Sequence, residues 1–165
     1  MDGGITVAYK LENVDIDINE TTSNVRKFFR NNFITYLNRA GLHSADLSSA
    51  KLDPTGISSR GKNSAEENIM RIFDYQSKCA AIYRAIMDCT ENDNLNIFNC
   101  KILKYRYLDN ITDGDIQERL GISPASYGEK KASALIEFAD RLPVWGGRFD
   151  TKFPELRKFL NEEEI

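Results

Sequence analysis

The chain has 165 residues, 41% of them hydrophobic and 28% charged, so it can bury a real core and is not a disordered tail. No apolar run approaches the roughly 20 residues that a transmembrane helix needs. A net charge of −3 and a pI near 5.3 exclude nucleic-acid binding by bulk electrostatics alone, although a few well-placed basic groups would suffice for it.

The opening Met1-Asp2-Gly3-Gly4 has neither the basic nor the apolar stretch of a secretory signal, so a cytoplasmic protein is expected. Val14, Ile16 and Ile18 alternate with Asp15, Asp17 and Asn19. A lone strand has nothing to pair with, so this stretch reads as an extended lead-in. A first helix is expected from about Glu20 to Ala40. Val25, Phe28, Phe29, Phe33, Tyr36, Leu37 and Ala40 recur at three- and four-residue steps, with Arg26, Lys27, Arg30 and Arg39 largely opposite. That basic side suits either solvent or phosphate. Gly41 ends the helix.

From His43 to Asn63 the chain is rich in Ser, Gly, Asp and Pro, and Asp53-Pro54-Thr55-Gly56 is a turn signal, so an exposed linker is expected. Ser64-Ala65-Glu66-Glu67 is a capping box that opens a second helix. Its apolar stripe runs through Ile69, Ile72, Phe73, Gln76, Cys79, Ala80, Tyr83, Ile86 and Met87. The polar break Glu91-Asn92-Asp93-Asn94 separates it from a third helix, expected from about Leu95 to Tyr107.

The stretch 111–140 carries the most information. Thr112 reads as an N-cap, with Asp113 and Asp115 in the first turn where the helix dipole favours acids. Ile116 and Leu120 share a face, and Gly121 allows a left-handed turn. Ser123 and Pro124 restart the chain as cap and first helical residue. Tyr127, Ala134, Leu135 and Phe138 then form an inner stripe. A short helix, a turn with Gly and a longer helix make the helix-turn-helix pattern, whose second helix can enter a major groove.

Ser126, Glu129, Lys130 and Ser133 are the candidates for base edges, since Ser pairs with several edges and Glu accepts from cytosine N4. Lys130, Lys131 and Arg119 are the candidates for phosphates, which position without specifying. Thr112 and Ser123 would present free backbone N–H groups to phosphates. Pro124, Ala125, Gly128 and Glu129 stand where a recognition helix is expected to carry basic or bulky residues, and Gly128 costs about 1 kcal/mol relative to Ala.

Beyond it, Pro143-Val144-Trp145-Gly146-Gly147 reads as a loop, and Lys152 to Leu160 as a short helix with Phe153, Leu156, Phe159 and Leu160 on one face. That face would pack on its own domain, on a second copy or on RNA polymerase. Three cysteines lie far apart and the only histidine is His43, which argues against a disulfide framework or a zinc site. There is no phosphate-binding loop, H-E-x-x-H or G-x-S-x-G, so neither an enzyme nor a cofactor is expected. The expected fold is all-α, a helical bundle with a C-terminal helix-turn-helix. Its parts are an N-terminal helix and linker (1–63), a helical core (64–141) and a C-terminal extension (142–165).

Lys101-Ile102-Leu103-Lys104-Tyr105-Arg106-Tyr107-Leu108-Asp109-Asn110-Ile111-Thr112, then Asp115-Ile116, Leu120-Gly121-Ile122-Ser123 and Ala134-Leu135, resemble the fourth region of bacterial sigma factors. From about Val14 to Asp140 the chain is more specifically similar to the ArpU family. The Asp-Ile-Asp start, Val25-Arg26 with Phe29, Gly41-Leu42, Asp46-Leu47, Lys51-Leu52-Asp53, Ser126-Tyr127 and Ile136-Glu137-Phe138-Ala139 carry that resemblance. It implies a phage or prophage regulator that activates late genes for packaging and lysis. The expected function is therefore a sequence-specific DNA-binding transcriptional regulator acting on double-stranded promoter DNA. RNA polymerase and a second copy of the chain are further candidate partners, and no membrane is. Two other readings stay open: a regulator that binds polymerase or a sigma factor without reading DNA, and a small terminase-like DNA-packaging protein.

Overall fold

The computed structural model describes residues 15–48 and 64–160. Residues 49–63 of the expected linker, the first fourteen residues and the side chains of the Ser64-Ala65 cap fall outside the described residues; the start of the expected linker, Ser44–Ser48, is instead a 3-10 turn. The described chain is mostly helical, with one small two-stranded sheet.

Helix α1 (Ile18–Lys27) opens where the Asp17 carboxylate accepts the Glu20 N–H at 2.9 Å. It continues without a break through a π-helical turn, Phe28–Phe33, into α2 (Ile34–Ala40), which stops at Gly41 with φ 71°. Residues five apart diverge by about 140° around a regular α-helix. The wider π turn brings Phe28 and Phe33 toward one side, and both are buried with Phe29. A 3-10 turn, Ser44–Ser48, then tucks Leu47 under the bundle.

Helix α3 (Ser64–Met87) buries its stripe only from Ser77 onward; Ile69, Met70 and Ile72 are exposed. The expected helix start at Leu95 is instead a hairpin. Strand β1 (Glu91–Asn92) pairs antiparallel with β2 (Ile97–Phe98) in the register Glu91↔Phe98 and Asn92↔Ile97. Asparagine chemistry makes the turn: the Asn92 side chain accepts the Leu95 N–H, and Asn96 takes a left-handed φ of 55°. Helix α4 (Asn99–Leu103) follows and ends in a second π turn, Lys104–Leu108.

Helix α5 (Asp113–Leu120) and helix α6 (Pro124–Arg148) each start on a hydroxyl cap. Thr112 Oγ1 accepts the Asp115 N–H at 3.2 Å, and Ser123 Oγ accepts the Ser126 N–H at 3.1 Å. Between them Gly121 sits at φ 66°. Gly121→Ala should therefore lower stability by about 1 kcal/mol, measured by urea unfolding, because a side chain resists that backbone region.

α6 is the axis of the fold, with α1, α3 and α4 packed around it. Phe29 lies flat on Tyr107 with ring centres 3.9 Å apart, and 4.7 Å from Phe138. The expected loop at 143–147 is in fact the last part of α6. Pro143 is accommodated on its exposed side, while Leu142 and Gly146 face inward and the Trp145 indole donates to Asp88 at 3.1 Å. Tertiary packing overrides the local Pro and Gly signals here.

The expected helix at 152–160 is extended instead. Phe159 forms an antiparallel bridge with Ile16, flanked by Asp17 N–H to Lys158 O at 2.8 Å and Leu160 N–H to Asp15 O at 2.9 Å. The alternating lead-in thus has a partner, supplied from the far end of the chain. Leu156 is buried and Phe153 packs on the core, while Phe159 stays exposed. Among the described residues no helix is long and apolar enough to cross a membrane.

Candidate functional site

The first turns of α6 stand out from the body. Pro124, Ala125 and Gly128 are exposed, Ser126 and Glu129 are half-buried, and from Lys130 onward the helix sinks into the bundle. Thr112, Arg119 and Ser123 are exposed on the same two-helix unit. The Arg119 guanidinium lies over the Tyr105 ring, 5.4 Å from its centre, which limits its motion.

Three expected contact residues face inward, and their reading as groups that meet a duplex is corrected. Lys130 is 6% exposed; its ammonium donates to the Asn96 carbonyl at 2.7 Å beside the Phe98 ring. Lys131 donates to both oxygens of Asp113, at 2.9 and 3.1 Å. Ser133 is fully buried near Asn99. The reason is helical phase. Lys130 and Lys131 lie three and four residues after Tyr127 and four and three before Ala134, so the two lysines lie on the core side. The positions of Tyr127 and Ala134 carry that signal in the sequence.

Asp113 is a residue whose role sequence reasoning missed. It accepts from the Tyr127 hydroxyl at 2.6 Å as well as from Lys131, and the Arg106 Nε lies 3.6 Å away. Burial alone would raise its carboxyl. The hydrogen bonds from Tyr127 and Lys131, with the charges of Lys131 and Arg106, outweigh burial and hold it below its ordinary value. Burial, and then donation to Asp113, push the Tyr127 phenol up. One carboxylate therefore serves as first-turn acid of α5 and as clasp between α5 and α6.

A buried carboxylate, Glu137, fixes α6 to the hairpin. It accepts from the Thr90 N–H and hydroxyl, from Asn99 Nδ2 and from Arg141 Nε. The three cysteines are free and buried. Burial pushes Cys79 up to about 12 and, with Glu91, Cys100 up to about 11, so neither is a ready nucleophile at neutral pH. Among the described residues no group of three His, Cys, Asp or Glu is placed to hold a metal ion.

Over 128 residues, covering 76% of this chain and 88% of the other, the sequence is 27% identical to a protein of Enterococcus hirae named "Putative autolysin regulatory protein ArpU". That likeness supports the ArpU resemblance carried by the sequence. No protein-family model matches the chain, and no solved structure matches it.

Proposed function

We propose that the protein is a DNA-binding transcriptional regulator of the ArpU family. In this reading α5, the Gly121 turn and α6 form a helix-turn-helix that presents the start of α6 to the major groove. The observation that carries it is the exposure of the first turns of α6, held in place by two hydroxyl caps and the Asp113 clasp. Ser126 and Glu129 remain as base-reading candidates, with Ala125 suited to a thymine methyl. Arg119 and the helix starts at Thr112 and Ser123 would hold phosphates. Activation of phage or prophage late genes and recruitment of polymerase come with the family reading. No catalytic step and no cofactor is invoked.

The test is retention of genomic fragments by the purified protein at two salt concentrations. Selective retention of one upstream fragment that weakens with salt is the expected result. Glu129→Gln should then relax the preference at one base pair by about 1–3 kcal/mol. No retention beyond competitor DNA at low salt would sink the proposal.

One observation favours a second reading. With Lys130 and Lys131 turned inward, the outward start of α6 carries an acid and small residues and no cation. That surface also suits a regulator that binds RNA polymerase without reading DNA. Polymerase captured by a protein that retains no fragment would select it.

A further inference from the structure

A cluster of positive charge lies beside the α5–α6 unit. A cavity of about 490 Å³, open to solvent, is lined by Arg26 and Arg30 of the first helix, Arg106 and Tyr107 of the second π turn, and Asp113 and Lys131 of the clasp. Four cations meet one carboxylate there, in a protein whose net charge is −3. The carboxylate is already engaged by Tyr127 and Lys131. Among the described residues Arg26 and Arg30 are exposed and have neither a hydrogen bond nor an ion pair.

Arg106 carries a further signal. Its Nε is buried and has no hydrogen-bond acceptor, because Asp113 Oδ1 at 3.6 Å is too far away to serve as one. A buried donor without an acceptor costs about 1–3 kcal/mol. Both π-helical turns among the described residues supply its walls, and such turns are frequent at functional positions. Burial lowers the Lys131 ammonium; Asp113 opposes this, and the like charges of Arg26 and Arg106 add to the lowering.

We propose that this cavity seats a phosphate of the DNA backbone; the proposal rests on the DNA-binding reading above. Guanidinium forks match phosphate oxygens in pairs. Position favours a backbone phosphate over a free one. Asp113, in the cavity wall, directly follows the exposed Thr112 cap of α5. A duplex strand carries a charge roughly every 3.4 Å, so a strand laid along the helix starts brings phosphates past the cavity mouth.

The test is Arg26→Gln with Arg30→Gln, two exposed residues whose loss removes no bond within the fold; an unchanged melting curve checks this. Binding is read by fluorescence anisotropy on a labelled duplex from the retained fragment and on a scrambled duplex, between about 50 and about 200 mM salt. The double variant should lose affinity for both duplexes by the same factor. Its plot of log affinity against log salt should flatten by about 1, the share of one phosphate. An unchanged slope and affinity, or a loss confined to the specific duplex, overturns the phosphate seat while leaving DNA reading intact. Failure of the wild-type protein to bind any duplex overturns both. A saturable shift of the Arg106 Nε–H resonance with inorganic phosphate, in a protein that binds no duplex, makes the occupant a free phosphate and overturns the backbone assignment.

Discussion

Glu137→Ala should lower the stability of the protein by about 3–5 kcal/mol, seen as a large drop in the urea midpoint. Glu137 is 1% exposed and accepts from four donors, the Thr90 N–H at 2.9 Å, the Thr90 hydroxyl at 2.9 Å, Asn99 Nδ2 at 2.8 Å and Arg141 Nε at 2.8 Å. Its removal strands all four donors and leaves the Arg141 charge leaning on Asp88 alone, at 3.1 Å. Burying unmet donors is far more costly than never having them. Glu137→Gln keeps the volume but turns an N–H₂ group toward donors, so it should recover little of the loss. A loss below 1 kcal/mol in the Ala variant would show that the hairpin does not depend on this carboxylate.

Asp113→Asn should loosen α5 from α6 and cost about 1–2 kcal/mol. Hydrogen bonds to charged groups reach about 1.5–3 kcal/mol, and the figure is discounted because the Asp113 side chain is 42% exposed. The variant also leaves Lys131, with 11% of its side chain exposed, facing the charges of Arg26 and Arg106 without a counter-ion. The pH dependence has a definite sign. The carboxyl titrates below its ordinary 3.8 when folded, so its stabilisation is fully present above that value and is lost as pH falls through the lower folded value. As pH falls below about 4, melting temperatures of wild type and variant should converge. A parallel descent of the two curves would remove Asp113 as the clasp.

What could be read from the sequence was what neighbours along the chain decide. The caps at Thr112 and Ser123, the stop at Gly121 and the polar break after Met87 are local signals, and the chain follows them. The hairpin at 91–98 was hidden because its turn depends on a left-handed Asn96, which no periodicity marks. Residue type points Lys130, Lys131 and Ser133 outward, whereas helical phase and packing turn them inward. Their partners, Asn96, Asp113 and Asn99, lie far away in sequence. The place of Arg106 beside Arg26 and Arg30 depends on packing between distant helices. The run of α6 through Pro143 and the pairing of Phe159 with Ile16 are likewise decided across the whole fold.

That long-range closure bears on how the protein is made. The aromatic cluster Phe28, Phe29 and Phe33 leaves the ribosome well before its packing partner Phe138 is synthesised, and Ile16 waits still longer for Phe159. A nascent chain therefore carries an uncovered aromatic face through most of its elongation, a state prone to aggregate or to engage a chaperone. Its slow folding event should be the docking of the first helix onto α6 once the latter is complete, because distant contacts bear the entropy of closing a long loop before they are repaid in packing. A ribosome stalled before residue 138 should hold a protease-sensitive chain, and protection should appear abruptly once α6 has cleared the exit tunnel.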